Sequence, residues 1–252
     1  MDRTHAADAA GLEVRRDAEL TRLILDRPQR GNALSAELVL ALSEAVARCR
    51  DDGTRLLVFE GAGPQLCTGF DLSQLESESD DTLLARFVRL ELLLQAVHEA
   101  PFVTLALARG WAMGAGADLF AACEQRWIVE SASFAFPGAA FGLVLGTSRL
   151  AERVGPTQAR EWVRSGVTIG ADDALRAGLA SRVIAAADVE DAIAVLRAGA
   201  KRLDAATQAA THEASLHGSA NQSAADLRRL TLSAARPGLR TRILQFRAAS
   251  KR

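Results

Sequence analysis

The feature that most narrows what this chain can fold into is a repeated switch between two hydrophobic periods. Glu19 to Asp26 (ELTRLILD) alternates as a strand does and ends at the Arg27-Pro28 breaker. Ser35 then stands where a helix N-cap belongs, ahead of apolar residues at helical spacing through Ala47. Arg55 to Glu60 is a second short apolar run, ended by Gly61-Ala62-Gly63-Pro64, and after a polar loop (Ser73 to Asp81) Thr82 to Glu99 is helical again. A third strand (Phe102 to Ala108), a small-residue helix (Gly114 to Ala122) and a fourth strand (Trp127 to Val129, leading to Ser133, Phe134 and Phe136) repeat the alternation. Such alternation predicts an α/β fold. Ala171 to Ala177 and Val189 to Leu203 read as helices around a short strand at Arg182 to Ala185, and nothing after about residue 190 reads as strand.

Charge and cysteine usage exclude several classes of function. Lys plus Arg number 30 against 31 for Asp plus Glu, a balance that lacks the electrostatic footprint of a nucleic-acid binder or a basic membrane-surface protein. Cys49, Cys67 and Cys123 are odd in number and contain no C-x-x-C, so neither a disulfide framework nor a cysteine zinc site is expected, and a reducing cytoplasm fits. The first eleven residues have no apolar core of a signal peptide, and no segment reaches the ~18–20 apolar residues of a membrane span.

Three motif-like strings do not meet the chemistry they evoke. Glu60-Gly61-Ala62-Gly63 follows a strand, but Leu66 occupies the place of the third glycine of a dinucleotide loop and Pro64 disrupts the helix start. His212 and His217 are five residues apart, which at about 100° per residue puts them on different helix faces. Gly146-Thr147-Ser148-Arg149-Leu150 lacks the closing glycine of a nucleophile elbow. His98, near a helix end, needs no explanation beyond the helix dipole. The chain has no tyrosine to act as a phenolic proton donor.

Four ordered segments carry a resemblance: Leu25-Asp26-Arg27-Pro28 with Asn32-Ala33-Leu34-Ser35; Gly61-Ala62-Gly63 with Gly69-Phe70-Asp71-Leu72; Gly110-Trp111-Ala112-Met113-Gly114-Ala115-Gly116-Ala117-Asp118-Leu119; and Ala122-Cys123-Glu124 with Arg126 to Phe134-Ala135-Phe136-Pro137. Together they resemble the crotonase (enoyl-CoA hydratase/isomerase) superfamily, and Gly155-Pro156 through Arg182-Val183 extends the likeness over about residues 20–190. The resemblance implies a spiral of repeated ββα units over residues 1–190, with the first ~12 residues flexible. It also implies a C-terminal helical region, residues 191–252, that mediates a homotrimer or a dimer of trimers. The implied ligand is an acyl-CoA thioester, taken as substrate with no cofactor and no metal. Its carbonyl oxygen would be bound by two backbone N–H groups at helix starts, here those of Phe70 and Ala115. Gly69 and the run Gly114-Ala115-Gly116-Ala117 suit this independently, because small residues leave amides uncovered; close helix packing is the competing reading of that run. The resemblance further places Arg30, Ala33, Phe70, Asp71, Leu72, Ser73, Gly114 and Ala115 around the CoA thioester, and lets Arg242, Arg247, Lys251 or Arg252 meet its phosphates.

The family's pattern is broken where water is activated. Of the two glutamates of a typical hydratase, the first position holds Asp118 and the second Gly138, and Gly142 to Thr147 is about three residues shorter than the usual glycine-rich loop. Asp118 is therefore the candidate acid/base. A free Asp titrates near ~3.9, and base work near neutrality requires an upward shift from burial among apolar neighbours such as Trp111, Met113, Phe134, Phe136 and Phe141. The competing reading makes Asp118 a helix-start carboxylate satisfied by backbone N–H groups, which would lower its pKa. Glu91 is an outside candidate, with an exposed helix glutamate as the alternative. The expected activity is an isomerase-like or other single-proton reaction rather than hydration. The alternatives are a catalytically silent acyl-CoA-binding homologue and an acyl-CoA hydrolase or decarboxylase.

Overall fold

The computed structural model describes residues 10–216 and 219–249. His217, Lys251, Arg252 and the first nine residues lie outside them.

Six strands form one sheet in sequence order: β1 (Leu12–Asp17), β2 (Leu20–Leu25), β3 (Leu56–Gly61), β4 (Val103–Met113), β5 (Gln125–Ala135) and β6 (Arg182–Ile184). β1 and β2 are an antiparallel hairpin, and every later pair is parallel. The central strands are buried on both faces, as parallel strands covered by helices must be, and Leu56, Leu57, Val58 and Phe59 are all fully buried. β1 is absent from the hydrophobic pattern because its sequence, LEVRRD, is an edge strand whose last three residues are exposed charges.

Parallel neighbours require crossover connections, and helices supply them. Helix α1 (Ala36–Cys49) starts where Ser35 predicts: the Ser35 hydroxyl accepts the Leu38 N–H at 3.2 Å. Helix α2 (Asp80–His98) starts two residues before Thr82, because Ser79 and Thr82 form a capping box around Asp80 and Asp81. Helix α3 (Ala115–Ala122) is buried at every position, which its run of small residues permits.

β4 and β5 run to eleven residues each, beyond the expected Phe102 to Ala108 and Trp127 to Val129. Their register shifts at Ala108/Gly110, after which Gly110 to Met113 pairs with Ala132 to Ala135. Short bridges Leu34↔Phe70, Cys67↔Ala112 and Phe134↔Ile169 continue this second layer. Each turn of the chain thus contributes a sheet strand, a short strand-like segment and a helix: the repeated ββα spiral.

Helices α4 (Thr147–Val154), α5 (Pro156–Ser165) and α6 (Ala171–Ala177) precede β6, and α7 (Val189–Ala200), α8 (Ala205–Ser215), α9 (Ser219–Ala234) and α10 (Leu239–Ala249) follow it. α7 covers the second face of the sheet, where Ile193 joins Leu56, Val58, Leu105 and Val129. No helix among the described residues is long and apolar enough to cross a membrane.

Asn32 locks the loop that leads into α1. It is fully buried at φ 55°, a left-handed conformation that asparagine tolerates. Its Oδ1 accepts the Arg27 N–H at 2.9 Å, and its Nδ2 donates to the carbonyls of Ala62 at 3.0 Å and Gln65 at 2.8 Å. Asn32→Ala removes all three bonds and strands their partners in the interior. Urea denaturation is expected to show a loss of about 2–4 kcal/mol.

Candidate active site

Two chain segments that are distant in sequence meet at Gly69. With φ at 97°, Gly69 occupies backbone space in which a Cβ would lie 2.6 Å from the Met113 carbonyl oxygen and 3.4 Å from the Ala115 nitrogen. Only glycine permits that approach. The flanking groups are already committed: Gly69 O accepts from Leu34 N at 2.8 Å, and Asp71 N donates to Leu34 O at 3.1 Å. The Phe70 N–H between them has no acceptor among the described residues. The Ala115 N–H is one of the orphan donors of the α3 N-terminus and likewise has none. Both residues line one cavity of ≈170 Å³. Gly116, by contrast, is a packing glycine, since a Cβ there would lie 2.4 Å from the Cys67 carbonyl oxygen. The close-packing reading of the small-residue run thus has direct support at Gly116.

The Phe70 ring stacks on Phe87 with centroids 4.3 Å apart, and the Arg86 guanidinium lies over it at 4.1 Å. These contacts fix the Gly69-Phe70 peptide from the side-chain end.

Asp118 reaches the same cavity from the first turns of α3. The arrangement that would lower its pKa is not formed: Oδ1 is buried without a hydrogen-bond partner. Burial therefore holds the carboxyl well above the ordinary range, the nearby Arg149 charge opposes the shift and Glu91 adds to it. Gly146 makes room for the group, because a Cβ there would lie 2.1 Å from Asp118 Oδ1. Gly138 also lines the cavity. A Cβ at Gly138 would meet nothing nearer than 3.6 Å, so a side chain is absent there by sequence and not by crowding.

Glu91 is neither exposed nor in the cavity. It is 1% exposed and bound through both oxygens by Arg149, at 2.9 and 2.6 Å, with Gln95 Nε2 donating to Oε1 at 2.8 Å. Arg149 also lies 4.0 Å from Asp226, so the cluster near Asp118 holds one guanidinium among largely buried carboxyl groups.

Met113, Phe136 and Phe141 line the cavity as expected, whereas Trp111 and Phe134 do not. Trp111 is 43% exposed on the outer side of β4, and Phe134 is a core residue packed on Phe120 at 4.8 Å. Leu143, Leu145, Val163 and Phe246 complete the lining with no motif to mark them.

Of the residues expected around CoA, Phe70, Leu72, Gly114 and Ala115 line the cavity, whereas Arg30, Ala33, Asp71 and Ser73 lie outside it. Asp71 is buried and paired with Arg27 at 2.9 Å. Burial would raise its pKa, but the Ser73 backbone N–H, the Ser73 side chain and Arg27 outweigh that effect and lower it. Arg27 also donates to the Ala33 carbonyl at 2.5 Å, stapling the loop before α1 to the segment after Phe70. Arg30 is exposed. Arg247 reaches Glu76 at 3.4 Å and the Leu72 carbonyl at 3.5 Å, while Arg242 Nη2 donates to the Ser233 and Arg236 carbonyls at 3.3 Å.

A larger groove of ≈590 Å³ between α2, α4, α7 and α8 holds His98 and His212 but none of the cavity residues. His98 faces Glu152 at 3.3 Å, and His212 Nε2 lies 2.9 Å from the His98 carbonyl. No group of three His, Cys, Asp or Glu residues that could hold a metal occurs among the described residues. Cys67 and Cys123 are buried, and burial pushes each thiol up to about 12.

Residues 15–235 match the sequence model of the family described as enoyl-CoA hydratase/isomerase. The chain belongs to that family, within the crotonase superfamily. A Bordetella parapertussis crystal structure named for an enoyl-CoA hydratase/isomerase superposes with a TM-score of 0.92 at 42% identity, covering 94% of this chain and 98% of that one. A Thermobifida fusca structure named for an enoyl-CoA hydratase in complex with acetoacetyl-CoA has a TM-score of 0.77 at 30% identity, with 97% and 98% covered. Among curated relatives, a probable enoyl-CoA hydratase of Mycobacterium bovis is 34% identical over 66% of this chain and 68% of its own length. The ethylmalonyl-CoA decarboxylase of Mus musculus is 31% identical over 68% of this chain and 55% of its own length.

For this enoyl-CoA hydratase/isomerase family member the buried carboxyl has a measurable cost. In the unfolded chain Asp118 loses its proton near ~3.9, and in the folded protein well above that. Between the two values only the unfolded state releases the proton, so stability falls as pH rises. Urea denaturation from pH 4 to 8 should show Asp118→Asn gaining on the wild type as pH increases. A difference that stays constant with pH would contradict the raised pKa.

Proposed function

We propose that the protein acts on an acyl-CoA thioester by single-proton transfer, with Asp118 as the acid/base and the Phe70 and Ala115 N–H groups as the oxyanion donors. The observation that carries this reading is the buried Asp118 carboxyl, unpartnered at Oδ1, in the same apolar cavity as two backbone N–H groups without acceptors. The thioester carbonyl oxygen accepts both N–H bonds. Charge that develops there on enolate formation meets fixed dipoles in a site that need not reorganise. Asp118, made more basic by burial, takes a proton from one carbon of the acyl chain and returns it at another, which moves the double bond and leaves the carboxylate as it began. Hydration in the usual family manner needs a second carboxylate to hold water, and Gly138 supplies none.

Decarboxylation is the second reading. The cavity lining contains no Lys, Arg or His among the described residues, so a malonyl-type carboxylate would sit there without a counter-ion, which favours its loss as CO2. The resulting enolate would use the same two donors and take its proton from Asp118. The relative named ethylmalonyl-CoA decarboxylase supports this reading.

Turnover of enoyl-, dienoyl- and alkylmalonyl-CoA panels by wild type and Asp118→Asn tests both. Isomerisation is expected in the wild type, with a loss of about 10²–10⁴ in kcat in the variant. CO2 release from alkylmalonyl-CoA alone selects the second reading. Acyl-CoA binding without turnover of any substrate would sink both.

A further inference from the structure

We propose that the cavity beside Asp118 admits only short acyl groups, of about six carbons or fewer, and that Phe246 sets this limit. The inference rests on the acyl-CoA reading above and deepens it by naming the size of the substrate. The volume is ≈170 Å³, and an apolar void of roughly 150 Å³ takes up benzene, a six-carbon ring. Apart from Thr68, Asp118 and Thr147 the lining side chains are apolar, so the space suits a hydrocarbon segment and does not extend it.

Among the described residues, Phe246 is the one lining residue contributed by the helices after β6. On α10, Leu239, Ile243 and Phe246 fall on one face at helical spacing. The first two are fully buried in the core, and the third carries the same apolar stripe into the cavity. Its ring meets Phe141 at 5.4 Å with planes at 53°.

A size limit requires walls that do not yield, and both sides of this contact are fastened. Asp80, at the start of α2, accepts the backbone N–H groups of Gly238, Leu239 and Arg240 at 2.8, 3.1 and 2.8 Å. The Arg240 bond, followed by the other two, holds the Asp80 carboxyl below its ordinary pKa despite partial desolvation. Arg240 Nε donates to the Leu75 carbonyl at 3.1 Å, tying α10 to the segment before α2. On the opposite side, Gly142 N and Leu143 N close a tight turn on the Ala139 and Gly138 carbonyls at 2.9 and 3.0 Å, and Val144 N donates to Ser233 Oγ at 3.0 Å. These bonds hold the backbone on either side of the Phe246–Phe141 contact in place.

Calorimetric titration with saturated acyl-CoAs, from acetyl to dodecanoyl and with free CoA as baseline, reads the limit without requiring turnover. In the wild type the affinity should rise about fourfold per buried methylene as far as hexanoyl-CoA and no further. Phe246→Ala should carry the rise about two methylenes or more beyond that point. If that variant fails to fold, Phe246→Leu is read in the same way. An affinity that climbs steadily to dodecanoyl-CoA in the wild type overturns the size limit alone, and an unchanged breakpoint in a cooperatively melting Phe246 variant overturns the role of Phe246. If no acyl-CoA binds better than free CoA, the acyl-CoA reading falls with it.

Discussion

The close passage of one backbone over another at Gly69 is the constraint on which the rest of the site depends. A side chain there would collide with the Met113 carbonyl, and the two segments would have to separate. Together they aim two N–H groups into one small apolar space, although one comes from a loop after β3 and the other from the N-terminus of α3. Each donor is left over by secondary structure: the loop spends its neighbouring groups on Leu34, and a helix start has no partner to offer its first amides. Donors of this kind need no ordering when a ligand arrives.

Asp118 depends on that packing indirectly. α3 can be buried on all sides because its residues are small, and burial of the helix carries its carboxyl out of water. The surrounding charges do not rescue it. Arg149 is close enough to favour ionisation, but its guanidinium is held by both oxygens of Glu91, and a paired cation exerts little net field. Desolvation therefore prevails.

Much of this was legible in the sequence, for a physical reason. Strand and helix periods are local properties, and so are the N-cap at Ser35 and the ordered glycine segments, and all of these led to the observed spiral. β1 was hidden because an exposed edge strand need not alternate cleanly. The second halves of β4 and β5 were hidden because they pair only after a register shift, which the sequence does not announce. Asp118, Phe70, Ala115, Met113 and Phe136 could be placed in one cavity because the motif segments carry them. Leu145, Val163 and Phe246 could not, since each arrives through packing of helices far along the chain. Glu91 illustrates the converse: its spacing is that of an ordinary helix glutamate, and only the fold reveals the arginine 58 residues later that binds it.

The three bonds from Asp80 to the start of α10 also bear on when the site comes into being. They join positions 158 to 160 residues apart, and the ring they fix is at residue 246. As the chain emerges from a ribosome, the sheet and the two amide donors can assemble long before that ring arrives. The cavity would then exist for a time as an open apolar trough. Its closure waits on residues 158 to 160 positions downstream of Asp80, whose half-buried carboxylate receives the start of α10.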